Sequence, residues 1–180
     1  MRWLLLTLTF ATTLFASPTL TVRTRTERPP EMDAITIAEL AFDGGVYALV
    51  LPRKWQFQPD PASRTLRFQS ETDRAQIIVH FSGEAPQAAL QSADGIRQFV
   101  APNLSSARVL EEFPIPSGTG EGKGAVFAYG LDKRCRAAVI PIPRGCVTFA
   151  LTCKTNELAS EQIFGGLVTS FRMLTPPPAK

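Results

Sequence analysis

Lys133-Arg134-Cys135-Arg136-Ala137-Ala138-Val139-Ile140-Pro141-Ile142 runs into Pro143-Arg144-Gly145 and returns through Cys146-Val147-Thr148-Phe149-Ala150-Leu151-Thr152-Cys153. β-branched and small apolar residues fill both arms, and turn chemistry separates them, so the stretch predicts a β-hairpin. On the second arm Val147, Phe149, Leu151 and Cys153 share one face, and Thr148, Ala150 and Thr152 share the other. With Arg144 at the centre of the turn, Cys135 and Cys153 are equidistant from it and face each other as a candidate disulfide. The competing reading makes Cys135, Cys146 and Cys153 three small buried hydrophobes. Their spacing and the lack of neighbouring histidines give no zinc site, which wants paired Cys or Cys/His ligands.

Working outward, the same period of two marks further strands. Ala107 to Phe113 and Lys123 to Leu131 precede the hairpin. Thr65 to Phe68 and Ala75 to Phe81 pair across the turn at Glu71-Thr72-Asp73. Tyr47 to Leu51 reads as a strand ended by Pro52; Trp55 and Phe57 follow at period two, before Pro59-Asp60-Pro61 turns the chain. Two stretches change to helical spacing. Ala89, Ala93, Ile96 and Val100 recur every three or four residues, so a helix is expected over 86–100, with Pro86 in its first turn and Pro102 stopping it. Ile163, Leu167, Phe171 and Leu174, widened by Phe164 and Val168, predict a closing helix over 157–173.

Strands joined by hairpins, with helices set apart in the chain, define an α+β fold: one domain built on a central antiparallel β-sheet with helices packed on it. Residues 45–175 form that domain, 17–44 read as an irregular lead-in or linker rich in Thr, Arg, Glu and Pro, and 176–180 read as a short Pro-rich tail.

The first sixteen residues carry an address. Arg2 supplies a positive charge, and Leu4 to Ala16 is apolar or small without a charge, the pattern of a secretory signal peptide. The run is short for a bilayer span, which takes roughly 20 apolar residues. Cleavage after Ala16 leaves Leu14 where a small residue is preferred, so a retained leader acting as a membrane tether stands as an alternative. Export is the expectation, to a periplasmic or extracellular location that permits disulfides.

Composition narrows the function. The 180 residues are 44% hydrophobic and 19% charged, as in a globular protein, and the net charge is +3. A balance this mild, with scattered cations, predicts no nucleic-acid binding. The one basic cluster, Lys133, Arg134 and Arg136, reads as a solvated strand edge.

The motifs that invite catalysis fail on inspection. Ser117-Gly118-Thr119-Gly120-Glu121-Gly122-Lys123-Gly124 lacks the first glycine and the final Ser/Thr of a phosphate loop, and a strand follows it where a helix is needed, so no nucleotide cofactor is expected. His80 is the sole histidine; it alternates with Ile78 on a strand, and no Gly-x-Ser-x-Gly elbow accompanies it. Glu111 and Glu112 point to opposite faces, and Glu71 with Asp73 lie in a turn. Trp55 and Phe57 offer either core packing, preferred for at least one of them, or an exposed aromatic platform. Asn103-Leu104-Ser105 matches a glycosylation acceptor, which matters only in a host that glycosylates there. No catalytic, cofactor or metal residue is assigned.

Leu51-Pro52-Arg53-Lys54-Trp55, the hairpin 65–81, the helix 86–100 and the closing Ser170-Phe171 together resemble the PsbP-like superfamily over residues 45–175. The first segment is similar to that family's Pro-x-Gly-Trp, with Lys54 standing where the family has Gly. The resemblance implies an α/β/α sandwich and a non-catalytic accessory role with a protein partner, here another envelope protein. It carries no ligand and no site. The expected function is therefore an exported accessory or partner-binding protein, its contact surface an exposed sheet face or the loops 52–64 and 116–124. An exported hydrolase or small-ligand-binding protein working through His80 is the alternative.

Overall fold

The computed structural model describes residues 19–30, 33–72, 74–84, 90–117, 120–155 and 157–176. The leader 1–16, residues 85–89 at the start of the expected first helix, Asp73, the tip 118–119 of the glycine-rich loop and nearly all of the Pro-rich tail lie outside the described residues.

Among the described residues eleven strands, with two α-helices of eight residues or more, are arranged in three layers. The middle layer is an antiparallel sheet of seven strands in the order β4-β5-β6-β10-β9-β8-β7. Its strands are β4 (Trp55–Asp60), β5 (Thr65–Ser70), β6 (Gln76–Ser82), β7 (Arg108–Ser117), β8 (Gly120–Tyr129), β9 (Lys133–Ile142) and β10 (Gly145–Lys154). The edge strands β4 and β7 carry Pro59, Pro114 and Pro116, as expected of a residue that cannot donate to a ladder.

One face of this sheet is covered by a second, smaller sheet. It is ordered β1-β2-β3-β11, with β1 Leu20–Glu27, β2 Ile35–Phe42, β3 Gly45–Val50 and β11 Arg172–Thr175. The lead-in reading of 17–44 is corrected here. β2 alternates with Ala38, Leu40 and Phe42 buried in the main core, and β1 pairs with it along its whole length. Asp43 and Gly44, both at positive φ, form the two-residue turn into β3, the geometry that matches strand twist.

Helix α2 (Leu158–Ser170) shares this face with the small sheet and buries Phe164, Leu167 and Val168. The closing helix is shorter than its spacing predicts. The Ser170 hydroxyl donates to the Leu167 carbonyl at 2.9 Å and accepts the Val50 N–H at 3.1 Å, and Phe171 is already extended. Residues 172–175 then pair with β3, which leaves Leu174 exposed on a strand. Tyr47, Phe81, Phe149 and Phe171 meet here, with Tyr47 and Phe171 stacked at 5.5 Å.

The opposite face carries α1 (Ala93–Val100), whose Ala93 and Ile96 settle on Ala125, Phe127, Cys135, Ala137, Val139 and Cys146. Small residues on the sheet let the helix approach closely. Leu90 and Gln91 are helical, Ser92 is extended, and Ser92 caps α1 by accepting the Gly95 N–H at 3.1 Å, so the expected helix is broken at Ser92. The α+β character and the single domain hold, with two sheets where one is expected.

The β9–β10 hairpin forms, but its loop has two residues, Pro143 and Arg144, because Ile142 pairs with Gly145. Cys135 therefore lies opposite Thr152, and Cys153 lies opposite Arg134. That one-residue difference moves the cysteines to opposite faces: Cys135 under α1 and Cys153 in the main core. The Cys135–Cys153 bridge is not formed, and all three cysteines are free and buried.

Candidate functional site

α1 packs on β7 to β10. The same face of β4, β5 and β6 extends beyond it. Alternation places the even-numbered residues of β4, β6 and β10 and the odd-numbered residues of β5 on this side, since their neighbours enter the main core. Register then aligns them into three rows. Gln56, Gln69, Gln76 and Thr152 form the first. Gln58, Arg67, Ile78 and Ala150 form the second. Asp60, Thr65, His80 and Thr148 form the third. At sheet spacings the three rows span roughly 14 Å in each direction.

This face is mixed in chemistry. Gln56, Gln58, Arg67 and Gln69 are exposed; Thr65, Gln76, Ile78, His80 and Thr152 are half-buried. Three neighbouring amides can each donate and accept, so the first row can bind a polar group without the desolvation cost of a charge. Ile78 puts an apolar side chain beside Arg67, and Arg67 makes no ion pair among the described residues. Burial, followed by the nearby Arg64, pulls the His80 pKa below its usual value. The Asp60 carboxyl is held below the usual carboxylate range by the Ser63 hydroxyl and backbone N–H.

His80 faces hydroxyls rather than a carboxylate. Thr65 and Thr148 are its cross-strand neighbours, and Asp60 is two strands away. Two strand spacings are roughly 10 Å, too far for a His–Asp hydrogen bond within one row.

The loop surfaces differ. A hollow of about 310 Å³ lies between Leu90, Phe113 and the ends of β7 and β8. Two of its charges satisfy one another: Lys123 Nζ reaches Glu112 Oε2 at 2.9 Å and also the Gln91 carbonyl at 2.9 Å. Glu112 Oε1 also accepts the Ala93 N–H at 3.3 Å. These contacts, Lys123 first, hold the Glu112 pKa low. Glu112 thus ties the start of α1 to β7. Glu121 to Lys123 are strand residues, so no helix N-terminus follows the glycine-rich loop.

In the 52–64 region Trp55 and Phe57 are both half-buried against the main core, Phe57 5.2 Å from Phe68. Lys54 stands at φ +61°, the left-handed conformation for which glycine is best suited. The Lys133, Arg134 and Arg136 trio is not on an edge: β9 lies between β8 and β10. Arg134 and Arg136 reach Glu161 of α2 at 3.6 and 3.4 Å, and Arg136 lies over the Phe113 ring at 4.6 Å.

The rows of the open face are invisible to motif reading because their members come from four separate strands. Their signal is the polar half of each alternation, which becomes a surface only when register is known.

No family model matches the chain, and no curated protein matches it by sequence. Among solved structures it is similar to the solution structure of cyanobacterial PsbP (CyanoP) from Synechocystis sp. PCC 6803. The TM-score is 0.54 at 13% identity, over 83% of this chain and 92% of that one. It is also similar to the crystal structure of LpqN, involved in cell envelope biogenesis of Mycobacterium tuberculosis, with TM-score 0.47 at 13% identity, over 86% and 92% of the two chains. The fold is PsbP-like. Among the described residues no helix is long and apolar enough to cross a membrane.

Proposed function

We propose that this chain is an exported accessory protein of the cell envelope that acts by holding another envelope protein against the open face of β4, β5, β6 and β10. The observation that carries the reading is the asymmetry of the seven-stranded sheet. Among the described residues one face is covered by the small sheet and α2, whereas α1 covers only part of the other. The part beyond α1 presents aligned amides, Arg67 and the partly exposed Ile78. The leader at 1–16 supports export. The PsbP-like fold supports a partner-holding role by analogy of architecture.

The test is photo-crosslinking in the native envelope from a probe placed at Gln69, with a second probe at the exposed Gln162 of α2 as control. A discrete protein adduct from Gln69 and none from Gln162 is the expected result. Equal labelling from both positions, or none from Gln69 at full recovery of folded protein, rejects the reading.

A further inference from the structure

The two sheets have four edges, β4, β7, β1 and β11. Three are blunted against further pairing. Pro59 interrupts β4, Pro114 and Pro116 interrupt β7, and β11 has only four residues, shifts register between Met173 and Thr175, and meets Pro176. The fourth is different. β1 runs eight residues without a proline, in unbroken register with β2. In an antiparallel pair every second residue of the outer strand turns its N–H and C=O away from its neighbour, so β1 presents a row of backbone groups that no strand pairs among the described residues.

The side chains beside this edge add selectivity. Thr21 and Arg23 lie at the border of a hollow floored by Ala41 and Val46 on the outer face of the small sheet. Arg23 stands opposite Glu39 in register, but Glu39 is held by Arg25 at 3.0 Å, and Arg25 also holds Glu27 at 3.0 Å. Arg23 is exposed and makes no ion pair among the described residues.

We infer that β1 is a strand-addition site for an extended segment of a partner protein. A carboxylate of that segment lies opposite Arg23, and an apolar side chain two residues away lies toward Thr21, Ala41 and Val46. Backbone bonds to β1 supply affinity, and the alternate side chains supply selectivity. A second copy of the chain fits poorly: antiparallel pairing of two β1 strands about Thr24 sets Arg23 against Arg25, and like charges directly opposite are destabilising.

The probe is a short end-blocked peptide in which Glu and Val stand two residues apart on one face, with Thr at the positions between and around them, compared with the same peptide carrying Lys in place of Glu, against the purified chain. The Glu peptide is expected to bind more tightly, by about threefold or more for one exposed charge pair, and to slow amide exchange within 20–27. Arg23→Glu reverses the preference; Arg23→Ala abolishes it without reversal, and serves if the first variant melts early. Neither substitution alters crosslinking from Gln69, which separates this site from the open face. Binding of neither peptide, protection outside 20–27, an unchanged preference in both variants, or protection of β1 through concentration-dependent dimerisation each overturns the inference.

Discussion

The Phe113 ring lies directly over Gly124: a Cβ built on Gly124 would stand 2.2 Å from the ring. The two residues are also cross-strand partners in β7 and β8, and Arg136 covers the same ring. Gly124→Ala must therefore push Phe113 off its seat at the edge of the main core. The expected cost is about 1–3 kcal/mol by urea unfolding. Adding Phe113→Leu should recover part of it, because the smaller side chain makes room. Equal stability of Gly124→Ala and the wild-type chain contradicts this packing.

Lys54 gives a change of opposite sign. An L residue in the left-handed region costs roughly 1–2 kcal/mol, which glycine avoids at some cost in unfolded-state entropy. Lys54→Gly should raise stability by about 0.5–1 kcal/mol, read from the denaturation midpoint. A loss of stability would mean that the Lys54 side chain makes a stabilising contact.

Burial pushes the thiols of Cys135 and Cys146 up to about 12, and that of Cys153 to about 11. At neutral pH they stay protonated and react slowly. An unfolded thiol ionises near 8.5, so above that pH the folded state holds protons that the unfolded state has lost. The thiol contribution to stability is thus complete below about pH 8.5 and declines as pH rises toward 11 and 12. Thiol counting after unfolding without reductant should find all three free. A Cys135–Cys153 bridge by mass spectrometry contradicts the register.

His80 works in the other direction. Its depressed pKa means that the unfolded state takes up the proton first as pH falls. Stability is retained above about pH 6.5 and declines below it. Arg64→Ala, by removing a neighbouring cation, should raise the His80 pKa in an NMR titration. An unchanged titration would leave burial as the sole cause.

Much of this fold is legible in the sequence, for local reasons. The β5–β6 and β9–β10 hairpins combine period-two apolar residues with clear turns, and Ala93, Ile96 and Val100 keep their helical face. The errors arise where tertiary context decides. Thr and Arg along β1 read as linker because an edge strand buries little, yet Ala38, Leu40 and Phe42 of β2 carried a usable alternation. Residues 172–175 follow a helical stripe and become a strand because β3 offers an unpaired edge. The cysteine pairing fails on one residue of loop length. The open face itself is not legible in the sequence, because Gln56, Gln69 and Gln76 align only through strand register.

The most direct measurement compares photo-crosslinking from Thr65, on the third row of the open face, in the otherwise wild-type chain and in a Gln56→Lys/Gln69→Lys/Gln76→Lys variant with an unchanged melting temperature. A discrete envelope-protein adduct is expected in the first and at least about a tenfold loss in the second, since three amide contacts at about 0.5–1.5 kcal/mol each are replaced by charges. An adduct of equal yield in both chains, with the variant folded, would contradict a partner held on this face.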